Sequence, residues 1–204
     1  MTGWPPPLSR LVAVTAALVI GAMLLWSACF GGEEGAADAS DAILTIDHIA
    51  DGYQARLGEL VVGNEGASQI GVDFWLDHNP EAPGEVACIT DGATVHRTER
   101  EAIAGLDGIV ERLLDTGFSE IDSPGIGDQA RAVMSSPAKP TRCGELLLVD
   151  TDIAYIAFRK GRVVGTVVVW VYQQGAPLDD AAALALEQLK LIEDIESRLP
   201  GEGG

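Results

Sequence analysis

The residues that most often catalyse reactions or bind metals form no recognisable motif in this sequence. The three histidines, His48, His78 and His96, are not spaced i, i+4, and none lies in an H-E-x-x-H motif. Cys88 lies in a predicted strand rather than at a helix N-terminus, where a thiolate is stabilised. The loop 77–81 (Asp-His-Asn-Pro-Glu) is either a solvated hairpin loop or a weak divalent-cation site. We therefore predict no catalytic residue, no metal site and no cofactor.

Three other segments could contact a ligand or partner. The Gly125-Ile-Gly-Asp-Gln-Ala130 segment lacks the third glycine of a dinucleotide motif and precedes a strand, so it predicts a tight turn in which Asp128 caps amides. Trp75, Trp170 and Tyr172 form a stacking surface if they share an exposed face, or else pack in the core. A predicted hairpin tip carries three cations, which are either ordinary turn residues or a contact for an acidic partner or lipid head group: Arg159, Lys160 and Arg162.

The N-terminus has the pattern of an export signal. Arg10 precedes an uncharged apolar run from Leu11 to Trp26, and Ser27-Ala28-Cys29 follows. The alternative is an uncleaved membrane helix, because residues 11–30 are long enough to cross a bilayer. Both interpretations place the rest of the chain outside the cell. The domain organisation is therefore 1–28 signal peptide or anchor, 29–41 flexible tether and 42–200 a single domain.

The small residues before Cys29 resemble the lipobox of bacterial lipoproteins, although Trp26 stands where that family usually has Leu. The resemblance implies that Cys29 is lipidated and becomes the mature N-terminus. Cys88 and Cys143 then remain, which is the number needed for one disulfide in an oxidising compartment. We predict that these two residues form that disulfide, with two separate buried thiols as the alternative.

The charge distribution excludes one class of partner. One of the 13 basic residues and none of the 31 acidic residues precede Cys29, so the rest of the chain carries a formal charge of −19. Such a surface repels the phosphates of nucleic acids and anionic lipids. We expect no nucleic-acid binding.

The apolar patterning predicts strands and two main helices in alternating blocks. An Asp91-Gly92 pair between strand-like runs predicts a hairpin turn there. Thr98 and Glu101 form a capping box for a helix over 99–116, ended by Gly117. Strands are predicted over 42–47, 53–57 (with a continuation to 62 as the alternative), 68–77, 85–90, 93–98, 118–121, 129–135, 145–150, 153–159 and 163–173. A tight turn is expected between 145–150 and 153–159. The last helix is predicted over 180–199, with this buried stripe: Ala181, Ala185, Leu189, Ile192, Ile195, Leu199.

Strands between separated helices indicate the α+β class, an antiparallel sheet with two main helices packed on one face, preceded by the N-terminal signal or anchor segment. The 125–130 turn, the segment 157–164 and the Ala-rich final helix also resemble a loose group of small uncharacterised lipoproteins of bacteria with Gram-positive-like envelopes. The chain is similar, more faintly, to extracytoplasmic sensor domains and to lipoproteins of Mog1/PsbP-like fold. These resemblances imply a binding or sensing domain without defined catalytic residues.

We therefore expect a non-enzymatic domain, lipid-anchored at the outer face of the cell membrane, that binds an unknown ligand or protein partner. The alternative is an accessory or assembly subunit of a membrane complex. A deep apolar pocket would favour the first function, and a flat exposed apolar patch would favour the second. Titratable groups converging in a cleft would favour an enzyme instead.

Overall fold

The computed structural model describes residues 39–62, 67–135, 141–149, 151–173, 175 and 177–199. The predicted signal peptide and Cys29 lie outside the described residues. Within these described ranges, ten strands and two α-helices follow two short 3₁₀ turns, Ala39–Ala42 and Ile46–His48. The elements are β1 (Tyr53–Leu57), β2 (Val61–Val62), β3 (Ser68–Leu76), β4 (Val86–Val95), α1 (Glu99–Asp115), β5 (Ser119–Ile121), β6 (Gln129–Ser135), β7 (Thr141–Cys143), β8 (Leu146–Leu148), β9 (Thr151–Lys160), β10 (Val163–Tyr172) and α2 (Pro177–Arg198).

One large antiparallel sheet contains most of the strands. Its order is β1-β3-β4-β10-β9-β6-β5, with β2 paired to β3, so β1 and β5 lie at the two edges. The long central strands β9 and β10 are buried on both faces, as their β-branched sequences require. The predicted class, an antiparallel sheet with two main helices packed against it, is confirmed.

The two helices lie on opposite faces of the sheet, whereas the sequence prediction placed both on one face. Alternate residues of β9 belong to two separate clusters: Ile156 and Phe158 pack with α2, while Tyr155 and Ala157 pack with α1. Since successive side chains of a strand point to opposite faces, the two helices cover different sides. The side covered by α2 is called the first face, and the side covered by α1 is called the second face.

The predicted hairpin at Asp91-Gly92 is wrong, because these residues lie in the middle of β4. Asp91 pairs with Val72 of β3 and with Val167 of β10, and pairing runs through Gly92 on both sides. Two long neighbouring strands therefore override a local turn preference. Because Asp91 lies in a central strand and not in a turn, its carboxyl group is buried in the core.

Two further predictions of local structure are wrong. Residues 42–47 are not a strand, since Ile43 and Leu44 are buried between the two 3₁₀ turns. The strand Leu146–Leu148 is not joined by a tight turn to a pairing partner in β9; it pairs instead with Thr141–Cys143 as a separate hairpin. The packed part of the chain also includes the end of the predicted tether, since Ala39 is fully buried.

The helix termini follow their sequence signals closely. The Thr98 hydroxyl accepts a hydrogen bond from the Glu101 amide at 3.2 Å, and α1 ends at Asp115, just before Gly117. Helix α2 begins at Pro177 rather than at Asp180, a position where proline is favoured because its missing amide hydrogen has no partner to lose. Within the described part of the chain, none of the helices has the length and apolar character needed to span a bilayer.

Candidate functional site

A small hairpin formed by β7 and β8 is fastened to the second face by a disulfide. The bond joins Cys143, the last residue of β7, to Cys88 in β4, with the two Cα atoms 6.2 Å apart. The structure thus brings together the two cysteines that the sequence analysis paired. Leu148, the last residue of β8, is buried in the same cluster as Cys88. The described hairpin strands pair only with each other, so the disulfide and these side chains hold them against the sheet.

Gly144, at the turn of this hairpin, lies directly against the ring of Trp75. Its φ is +54°, and a Cβ atom built there would approach the indole to 2.2 Å. Only glycine fits both this backbone conformation and this contact. The Arg56 guanidinium lies 5.8 Å from the ring centroid of Trp75, a distance at which a cation is attracted to the indole. Trp75 is therefore held by the hairpin and by Arg56.

An open cleft of about 310 Å³ lies beside Trp75, where the ends of β1 and β3 meet the hairpin. One amide, two carboxylates and apolar surface line it: Gln54, Trp75, Leu76, Asp77, Glu145 and Leu146. These groups can accept hydrogen bonds and offer aromatic and aliphatic contact. The volume of the cleft lies at the small end of the range for ligand pockets, and its lining combines polar and apolar groups.

A polar strip continues from the cleft across the second face. Arg56 Nη2 lies 3.2 Å from Asp73 Oδ2, and the Thr90 hydroxyl donates to Asp73 Oδ1 at 2.8 Å. The Arg56 and Asp73 side chains are 58% and 31% exposed, because α1 packs farther along the sheet on β6, β9 and β10. Sequence analysis missed Gln54, Arg56 and Asp73, although the polar alternation of β1 and β3 could have identified them.

The predicted aromatic stacking surface is not assembled. Trp75 and Trp170 both pack in the cluster on the second face, but Trp170 is only 9% exposed. The Tyr172 hydroxyl accepts a hydrogen bond from Gln173 at 2.8 Å. Trp75 alone therefore contributes an aromatic surface to the cleft.

All three cations of the β9–β10 hairpin tip have partners within the domain, and two of them lie beside an acidic group. Asp128 lies 2.9 Å from Lys160 Nζ and 3.8 Å from Arg159 Nη1, and it accepts a hydrogen bond from the Gly161 amide at 2.8 Å. The Gly161 amide, followed by Lys160, holds the pKa of Asp128 below its usual value. The Arg162 guanidinium donates to the backbone carbonyl of Arg97 at 3.1 Å. These partners weaken the argument that Arg159, Lys160 and Arg162 contact an acidic partner, which stays a prediction.

The turn 125–130 contacts the β9–β10 hairpin closely. Gly127 has a φ of +64°, and a Cβ atom there would lie 2.3 Å from the Arg159 carbonyl oxygen. Asp128, in the same turn, accepts the hydrogen bond from the Gly161 amide at 2.8 Å. The segment 125–130 therefore has a structural role at the hairpin.

The histidines do not converge. His78 Nδ1 lies 2.7 Å from Asp77 and Nε2 lies 3.6 Å from Glu85; the hydrogen bond to Asp77 raises the pKa of His78. Burial lowers the pKa of His96, whose ring lies against Gly105 of α1. His48 bonds to Thr45. Across the described ranges, no three His, Cys, Asp or Glu side chains are grouped so that they could hold a metal ion.

Sequence analysis also missed two fully buried polar residues, Asp91 and Gln188. Asp91 was assigned to a turn, but apolar runs on both sides could have indicated one continuous strand. Gln188 interrupts the apolar stripe of α2, where Leu189 was expected to be buried instead. Gln188 donates to the carbonyls of Gly92 and Ala42, at 2.8 and 3.2 Å.

Comparisons with known proteins give one structural likeness. No protein-family model matches the sequence, and no curated protein matches it either. Among solved structures, the chain is similar to the extracellular domain of PknH from Mycobacterium tuberculosis, with 12% sequence identity over 75% of this chain and 74% of that chain, at a TM-score of 0.40.

Proposed function

We propose that this chain is an extracytoplasmic binding domain, held at the membrane by a lipid on Cys29, that recognises its ligand at the Trp75 cleft. One observation carries the proposal: a disulfide-fastened hairpin walls an open cleft next to an aromatic ring and a polar strip. A fixed wall preorganises such a site, which reduces the entropy lost on binding.

The proposed location is supported by the sequence and by the chemistry of the disulfide. Disulfides persist in oxidising spaces outside the cytosol. The apolar run before Cys29 resembles a lipoprotein signal. An acidic domain of this charge also stays in solution above an anionic membrane surface instead of adhering to it.

Binding is favoured over catalysis by the groups that line the cleft. The lining residues are carboxylates, an amide and apolar side chains, with no cysteine, serine or histidine. The nearby His78 ring bonds to Asp77 and is about half exposed. General acid–base catalysis generally uses groups whose environment brings their pKa close to the working pH, and strong desolvation is the usual means. The open cleft and the half-exposed His78 ring do not provide such desolvation, so we favour binding.

A second function is favoured by apolar side chains next to the cleft. Leu147 and Val149 are 55% and 46% exposed on the same hairpin that carries Glu145 and Leu146. Exposed apolar groups at the rim of a cleft can contact a protein. The chain would then be an accessory or assembly subunit of a membrane complex.

Affinity capture of the full chain from native membranes distinguishes these functions. Proteins and small molecules that co-purify are identified by mass spectrometry for the wild type, for Glu145→Arg in the cleft and for Leu147→Asp beside it. Glu193→Arg, an exposed change on α2, is the matched control. We expect Glu145→Arg to lose a co-purified molecule that Glu193→Arg retains.

If Leu147→Asp loses a specific protein while Glu145→Arg keeps it, the accessory-subunit function is correct. If all three variants retain the same molecules as the wild type, the cleft is not the binding site.

A further inference from the structure

Asp91 is a carboxyl group placed in the apolar core of the first face. It is 0% exposed, and its cross-strand neighbours Val72 and Val167 are buried aliphatic residues. Its Oδ2 accepts a hydrogen bond from the Leu44 amide at 2.7 Å. Its Oδ1 is buried without a hydrogen-bond partner among the described residues. A carboxylate in this position would be far more costly than a neutral carboxylic acid.

The segment that covers Asp91 is the chain from Ala39 to Leu44, which we call the strap. Its residues Ala39, Ala42 and Leu44 are at most 1% exposed, and Ile43 is 5% exposed. The strap has no strand pairing. Besides apolar packing, hydrogen bonds fasten it to the domain, among them those from the Leu44 amide to Asp91 and from the Gln188 side chain to the Ala42 carbonyl. An exposed ion pair, Asp41 with Arg198 at 3.2 Å, adds a surface contact.

Among the described residues, no charged group of the elements packed against Asp91 acts on its carboxyl group. Asp91 accepts a hydrogen bond from Leu44 of the strap and is paired across the sheet with Val72 of β3 and Val167 of β10. Nearby on α2, Gln188 bonds to the adjacent Gly92 carbonyl and is uncharged. The charged groups of the strap and of the C-terminal end of α2, Asp41 and Arg198, pair with each other at the surface, where they are 64% and 53% exposed. Burial raises the pKa of Asp91 to about 8, opposed by the amides of Leu44 and Gly92.

We propose that the strap is a releasable latch, docked on the sheet while Asp91 is protonated and released when Asp91 ionises. Release admits water to the carboxylate, which removes the cost of burying it. The strap includes the last three residues of the predicted membrane tether, 29–41, and continues that tether into the domain. Because an extended chain spans about 3.3 Å per residue, freeing six residues lengthens that tether by about 20 Å. The latch thus sets how far the binding domain can stand from its anchor, and it does not depend on which ligand the cleft binds.

The direction of the pH dependence follows from the proton balance. The docked state holds a proton that the released state gives up, since the pKa of Asp91 moves from about 8 towards 3.8 on exposure. One proton is released per opening, so the opening equilibrium rises about tenfold per pH unit between about pH 5 and pH 8 and then levels off. Docking is strongest in acid and weakens as the pH rises.

Hydrogen–deuterium exchange of the full chain in detergent tests the latch. At each pH, the measured exchange rate of the strap peptide is divided by the intrinsic exchange rate of the same peptide when unstructured, because the intrinsic rate also depends on pH. The ratio is the corrected rate. We expect the tenfold slope in the wild type and in Asp73→Asn, a matched change in the exposed polar strip. In Asp91→Asn, which cannot ionise, the corrected rate should be independent of pH.

A corrected strap exchange rate without pH dependence in the wild type would overturn the proposal, and so would an unchanged slope in Asp91→Asn.

A second measurement needs no variant. The carboxyl ¹³C resonance of Asp91 in the wild type should titrate in the pH range where strap exchange accelerates. Titration at the ordinary pKa of an exposed aspartate, about 3.9, would also contradict the latch.

Discussion

The two faces of the sheet are closed in different ways. The first face is covered by one long helix and the strap, and its buried residues are apolar except for Ser68, Asp91 and Gln188. The second face is covered by a shorter helix and by a small hairpin that a disulfide fastens, and it leaves Arg56, Asp73 and part of Trp75 accessible. The first face therefore contains the larger buried apolar cluster, whereas the second leaves part of its surface open for binding.

The largest loss of stability is expected from the first face. Phe158 is fully buried beneath α2, and Phe158→Ala removes a ring that the surrounding side chains cannot replace. Such changes cost about 3–5 kcal/mol. Urea denaturation measures the loss of unfolding free energy. The control is Leu186→Ala, at a half-exposed position of α2. Equal midpoints for the two variants would contradict the assigned core.

The next effect is expected from the disulfide on the second face. The bond closes a loop of 55 residues in sequence separation. The loop-entropy description gives about 4 kcal/mol for a loop of this size, and strain commonly lowers that value. The Cys88→Ser, Cys143→Ser double variant is compared with the wild type in urea, with and without reductant. If reductant does not affect wild-type stability, the bond is absent or makes no contribution.

A smaller and local effect is expected at the hairpin turn. Gly144→Ala places a methyl group within 2.2 Å of the Trp75 ring at a positive φ. Overpacking of this kind costs about 1–3 kcal/mol. The hairpin should shift away from the ring, which changes tryptophan fluorescence without altering the far-UV spectrum. Gly125→Ala, at a position open to solvent, should leave the fluorescence unchanged.

The smallest effect on stability is expected in the polar strip. Asp73→Asn removes an exposed ion pair with Arg56, and such pairs contribute about 0–1 kcal/mol. Thermal denaturation should hardly change, whereas retention of the captured ligand should fall if the strip extends the cleft. A large drop in Tm would instead make Asp73 a structural residue.

The sequence predicted the individual elements better than their arrangement on the two faces. Helix α1 and the long strands β3, β9 and β10 followed from local patterns such as Thr98-x-x-Glu101 and the apolar alternation of Ile70, Val72 and Phe74, whereas the disulfide partners followed from the number of cysteines. These patterns depend on neighbouring residues in the chain. Which face each helix covers depends on how β6, β9 and β10 pair, and that information is not local.

The candidate site was harder to predict for the same reason. Gln54, Asp77 and Glu145 come from three separate segments, and none belongs to a motif. Asp91-Gly92 carries a true turn signal, but pairing with Val72 and Val167 on both sides outweighs it. Gln188 was not part of the predicted buried stripe of the last helix, and its hydrogen bonds to the backbone carbonyls of Gly92 and Ala42 explain its burial.

Peptide mapping of the unreduced protein, purified from native membranes, tests the central proposal most directly. Free thiols are alkylated before unfolding and again after it, and the digest is analysed by mass spectrometry without reductant. An extracytoplasmic domain with a fastened hairpin predicts one cross-linked peptide that joins Cys88 to Cys143. Recovery of both cysteines as alkylated free thiols would contradict the compartment, the hairpin attachment and the binding site built on it.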